Sequence, residues 1–133
     1  MFSFKVTKTV DKMDELTKAI QVAASKELLV GIKEPGAAIE AYNLETGDPY
    51  NNIPAQPFLL PGVTNAIDDT VRTMVSTLYD ALTLDEPVEP MFEDAFNTMG
   101  ELQVASIVSE LEKQHTTEAS DLEKYVIYEV IDG

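Results

Sequence analysis

The sequence predicts one α+β domain over residues 1–133, with a small antiparallel sheet packed against an N-terminal helix and two long helices. Three observations predict it. Phe2, Phe4 and Val6 alternate with Ser3, Lys5 and Thr7, and residues 125–131 are β-branched and aromatic, so both ends of the chain read as strands. Two long segments, 63–82 and 91–113, repeat their apolar residues at the helical period instead. A length of 133 residues is that of one ordinary domain and suffices for a core without metals or disulfides.

Behind the first strand, Asp11 is placed to cap a helix running to about Ser25, with Asp14 and Glu15 in its first turn. Met13, Leu16, Ile20 and Ala24 lie on one face of it. Residues 27–32 form a short strand with Leu28, Val30 and Ile32 on one side, and Pro35-Gly36 then breaks the chain. Residues 37–44 have room for one or two helical turns, which Gly47 ends. After a loop over 48–52, three prolines (54, 57 and 61) fall within eight positions and forbid helix or central strand. Ile53, Phe58, Leu59 and Leu60 interleave with them, so this loop is expected to pack against something. From Val63 onward Ile67, Val71, Met74, Val75, Leu78 and Leu82 share a helix face. Residues 85–90 form a stiff acidic linker, and 91–113 is the second long helix. Phe92, Phe96 and Met99 make one apolar patch on it, and Val104, Ile107, Val108 and Leu111 another. Gly100, between the patches, marks a close helix crossing or a kink. Residues 115–120 read as polar loop, and the strand at 125–131 closes the sheet.

Charge narrows the function classes. The chain carries 24 acids against 9 Lys plus Arg, a net charge of −15. That excludes nucleic-acid binding through a basic face and argues against docking on an anionic membrane. The excess is uneven: residues 1–33 carry net +2, while residues 34–112 hold one base, Arg72, and net −14. A basic front meeting an acidic middle on a neighbouring copy would give a head-to-tail oligomer. With no cysteine there is no disulfide framework, thiolate metal site or Cys nucleophile. No apolar run spans a bilayer and the first residues lack a signal-peptide layout, so a cytosolic or particle-bound protein is expected.

Residues that could carry chemistry are few. The single histidine, His115, stands in a polar stretch without a partner motif. Glu45, Asp48, Asn51 and Asn52 cluster at a turn, but their spacing is not that of a calcium loop and turn chemistry accounts for them. Pro54-Ala55-Gln56-Pro57 has the PxxP pattern of proline-domain ligands, although Phe and Leu beside it point to a packed loop. No catalytic, cofactor or metal residue is assigned, and no enzyme activity is expected.

Around this loop Leu29-Val30-Gly31, Ala41-Tyr42-Asn43 and Glu45-Thr46-Gly47 come in order, followed by Ile53, Pro54, Pro57, Phe58, Leu59, Pro61 and Gly62. This succession resembles that of a known family, the tail completion or head–tail joining proteins of tailed bacteriophages. In that family a strand ending Val-Gly leads to a short helix with an alanine-aromatic pair and a Glu-x-Gly. Then comes Ile-Pro-x-Arg-Pro-Phe, two further residues and Pro-Gly opening a long helix. Gln56 stands where the family has Arg, Leu60 where a polar or basic residue is common, and the family's Asp-Thr-Gly segment before the last strand is not recognisable at 115–122.

The resemblance implies a non-enzymatic virion protein of the neck, assembled in the host cytoplasm into a sixfold or twelvefold ring of its own copies. Portal-adaptor or connector proteins would dock on one side, and tail terminator or tail tube proteins on the other. DNA would pass through without specific binding, and an acidic wall suits that passage. Residues 53–62 would then be either a subunit interface or a brace inside the subunit, and both readings stand at this point. Segments 33–52 and 113–122 are candidates for ordering only on docking. From a different class, an acidic regulator that mimics DNA and binds a basic host partner also fits the charge.

Overall fold

The computed structural model describes residues 14–132. The predicted first strand at residues 2–6 and the Asp11 cap lie outside the described residues. In chain order the elements are α1 (helical over 14–24), β1 (Lys26–Ile32), α2 (Pro35–Thr46), a 3-10 turn (Pro49–Asn51), α3 (Leu59–Thr83), α4 (Val88–Glu112), α5 (Thr117–Glu123) and β2 (Val126–Asp132). The α+β architecture is as the sequence predicts.

Helix α4 is the centre of the fold, touching α3, α5 and both strands. β1 and β2 pair antiparallel with Leu28 opposite Val130, Val30 opposite Tyr128 and Ile32 opposite Val126. Leu28, Val30, Ile32, Val126 and Val130 turn inward into two apolar clusters. One gathers Ala37, Phe58, Ile107, Leu111, Ala119, Leu122 and Val126. The other gathers Ala19, Ala81, Phe92, Phe96 and Met99. The two predicted patches on α4 are therefore the two ends of the core.

Lys26 clamps the strand ends by donating from Nζ to the Asp132 carboxylate at 2.8 Å. That hydrogen bond holds the ammonium above its ordinary value of 10.5, with burial opposing more weakly. A raised lysine stabilises the fold fully below its unfolded value and loses that contribution as pH climbs through the folded one. The Asp132→Asn variant should therefore lose less stability than wild type on going from pH 9 to above 10.5, as read from unfolding midpoints across that window.

Small residues set the close approach of α3 to α4 near Gly62. Gly62 and Ala66 are buried on α3, and Ser106 Oγ donates to the Gly62 carbonyl at 2.6 Å. Buried Gln103 donates from Nε2 to Thr70 Oγ1 at 2.9 Å, while its Oε1 has no partner. A Cβ on Gly62 would come within 2.6 Å of Ile107 Cα, which is backbone of the facing helix. Gly62→Ala gains about 0.5–1 kcal/mol of helix propensity but forces the helices apart, which typically costs about 1–3 kcal/mol. We expect net destabilisation, read as a lower urea midpoint at an unchanged slope.

Several expectations are corrected. Pro35 does not break the chain. It opens α2 at its first position, where its missing N–H is no loss, and Glu34 caps the turn through Gly36 N and Ala37 N at 3.2 and 2.6 Å. Pro61 lies inside α3, and Pro90 inside α4, because a first helical turn donates no intrahelical hydrogen bond there. The acidic linker accordingly shrinks to residues 84–87. Gly100 marks no helix crossing: the Tyr128 ring of β2 lies directly over it. The supposed loop at 115–120 holds the start of α5, capped by Thr116 Oγ1 on Ala119 N at 3.1 Å and anchored by buried Ala119 and Leu122. On α1 the buried residue is Ala19, while Ile20 is 51% exposed. The shared face on α3 is split: Met74 and Leu78 join the core, whereas Ile67, Val71 and Val75 stand in solvent.

Candidate functional site: a braced proline loop

Phe58 stands at the cap position before α3, yet its side chain offers no oxygen to cap the helix. The cap comes from another helix. Glu45, on the last turn of α2, accepts from Phe58 N at 2.9 Å and Leu59 N at 2.8 Å through Oε1, and from Leu60 N at 3.3 Å through Oε2. Pro61 has no N–H to satisfy, and Gly62 N already reaches the Phe58 carbonyl at 3.0 Å. Every free donor of the first α3 turn is thus accounted for. A carboxylate at a helix N-terminus also meets the positive end of the helix dipole.

Around this joint the backbone closes on itself. Gly47 ends α2 with φ +80, a conformation that L side chains rarely adopt, and a Cβ there would lie 2.7 Å from Ala55 N. Asp48 and Ile53 exchange backbone hydrogen bonds at 2.8 and 2.9 Å, with Asn52 turning the chain at φ 57. Gln56 N donates to the Leu44 carbonyl at 2.8 Å. Gln114, just beyond α4, donates from Nε2 to the Gln56 carbonyl at 2.9 Å. The loop is tied to α2 on one side and to the end of α4 on the other.

The residues expected to act here fall into two groups. Phe58 is 1% exposed among Ile107, Leu111 and Leu122, Gly62 is buried against Ile107, and Leu59 and Pro61 are half-buried. These four pack inside the chain. Ile53 is 50% exposed, and Pro54, Gln56, Pro57 and Leu60 also face solvent. The turn cluster is divided as well: Glu45 faces α3, while Asn51 donates to Asp48 at 2.6 Å. His115 is exposed with φ 54. The segments expected to order only on docking, 33–52 and 113–122, hold α2 and all but the last residue of α5. Among the described residues no group of three or more His, Asp or Glu is placed to hold a metal ion. No helix among them is long and apolar enough to cross a membrane.

The chain matches no protein-family model, no curated protein and no solved structure. The functional reading therefore rests on the motif and on this geometry. What the geometry supplies is a loop of fixed shape, held from behind by Phe58 and Glu45, with Ile53, Pro54, Pro57 and Leu60 outward. Sequence reasoning matched Glu45 to a motif without finding its task. The sequence offered no signal for it, because the apolar period starts the helix at Val63, and its true cap position, Phe58, shows its need for an outside acceptor only once the start of α3 is known.

Proposed function

We propose that this chain is a non-enzymatic structural subunit of a ring in the neck of a tailed phage, which completes the tail and joins it to the DNA-filled head. One observation carries the reading. The two separated parts of the motif, Glu45-Thr46-Gly47 and Ile53 to Gly62, meet as one device in which the first caps the helix that the second opens. A loop preset in this way loses little entropy on docking, and its outward Ile53 and Leu60 are apolar anchors for a neighbour. The acidic middle of the chain suits a channel wall, because like charge keeps DNA phosphates from sticking.

The test is electron microscopy of lysates from a phage with an early stop codon in this gene. DNA-filled heads beside separate, full-length tails are expected. Intact particles with normal tails would overturn the joining role and bring forward the acidic regulator bound to a basic host partner.

A further inference from the structure

Between α2 and α5 runs an apolar groove of about 300 Å3. Its floor is Leu44, Leu122 and Ile53 of the proline loop. Its rim carries Glu40 on the α2 wall and Glu118 and Asp121 on the α5 wall. Ile53 is 50% exposed, so a large apolar side chain meets water at the mouth. Ligand sites begin at about 300 Å3, so the groove suits a few side chains of a chain segment and not a whole domain surface.

The rim sets this groove apart from the other apolar ones. In the groove at Leu29 and Ile127, Lys33 is already paired with Glu129 at 2.8 Å. In the groove at Tyr42 and Leu59 the carboxylate is Glu45, which is taken up by the cap of α3. Glu40, Glu118 and Asp121, by contrast, have no hydrogen bond or ion pair among the described residues. The bases nearest to them in sequence, Lys33, Lys113 and Lys124, are engaged with Glu129, Glu110 and the Tyr125 ring. Three unpaired like charges around an apolar floor disfavour an acidic ligand and favour a basic one. Lysine and arginine fit such a rim, because their stems lie along apolar surface while the charged head reaches outward.

We propose that the groove between α2 and α5 takes a segment of a partner protein in which apolar side chains alternate with lysine or arginine. In an extended segment successive side chains point to opposite sides. The apolar ones enter toward Leu44, Leu122 and Ile53, and the stems of the basic ones carry their charge to the rim. Ile53 is held in place by the backbone exchange with Asp48, so this anchor is ordered before the partner arrives. The proposal stands apart from the neck reading: a phage neighbour and a basic host partner can each present such a segment, and the stop-codon lysate does not decide it.

The probe is a short synthetic peptide alternating leucine and lysine, titrated into the isotope-labelled full-length chain and followed by amide shifts in NMR. Two control peptides replace leucine by serine or lysine by glutamate. The leucine–lysine peptide should shift the amides of Leu44, Ile53 and Leu122 and bind about tenfold more tightly than either control. Asp121→Asn and Ile53→Ala should each weaken it about fivefold, with circular dichroism unchanged because both side chains face solvent, and added salt should weaken it further. Equal binding of the serine–lysine peptide would mean that the charge of −15 acts alone, and equal binding of the leucine–glutamate peptide that the rim is idle. Either result, shifts centred on another face, or affinity unmoved by the two variants would overturn the proposal. So would binding that appears only once Lys5 and Lys8 are changed to Glu, which would hand the groove to the chain's own first residues.

Discussion

Phe58→Ala should lower the unfolding free energy by about 3–5 kcal/mol, the range for deleting a buried aromatic ring. The side chain is 1% exposed and packs with Ile107, Leu111 and Leu122, residues of α4 and α5. Its removal opens a cavity where three elements meet, and none can collapse into it without pulling on the others. A domain of this size holds only about 5–15 kcal/mol in all, so a large share of the variant would be unfolded at physiological temperature. Urea unfolding of the purified chain measures the loss. Ile53→Ala and Pro57→Ala, whose side chains face solvent, should stay within about 0.5 kcal/mol of wild type. A Phe58→Ala chain as stable as wild type but unable to self-associate would mean that the ring serves an interface and not the brace.

The elements were legible wherever local periodicity and tertiary packing agree. β1 and β2 alternate or branch as strands should, and the residues predicted to share one side of β1, Leu28, Val30 and Ile32, are the ones that face the core. Both long helices followed from their apolar period, but their starts did not, because proline is read as a breaker while a first helical turn tolerates it. That explains Pro35, Pro61 and Pro90 together. The face of α3 was misjudged for a different reason. Apolar periodicity says which residues avoid water, and it cannot say whether the cover is the chain's own core or another molecule. Gly62, Ala66 and Ala81 carry the signal for close packing on α4, and a pattern scored by hydrophobicity alone passes over it. In the proline loop Phe58 and Leu59 pack as their apolar character predicts, while Ile53 and Leu60, expected to pack as well, face solvent. What the loop's sequence did not show was the partner 13 residues earlier, because a carboxylate on an unassuming helix shows its role only when α2 and α3 are placed end to side.

Glu45→Ala is expected to lower stability by about 2–4 kcal/mol, since hydrogen bonds to a charged group contribute about 1.5–3 kcal/mol each and do not add fully. Three amides depend on the one carboxylate: Phe58 and Leu59 closely, Leu60 at 3.3 Å. Without it α3 begins on Phe58 with unsatisfied donors, and nothing in the Ile53–Pro57 loop can replace an oxygen that arrives from α2. Glu45→Gln keeps one acceptor and loses the charge that faces the helix dipole, so it should fall between, at about 1–2 kcal/mol. Hydrogen exchange gives a readout that global stability does not: in Glu45→Ala the Leu59 and Leu60 amides should exchange faster than the core amides of α4. The double variant Glu45→Ala with Phe58→Ala should lose less than the two single losses combined, because both side chains hold the same joint. An alanine variant within about 0.5 kcal/mol of wild type, with unchanged exchange at Leu59 and Leu60, would refute the cap. If the cap holds, the loop is formed within the single chain, and a neighbour of the kind proposed would bind it without the ordering entropy that weakens flexible interfaces.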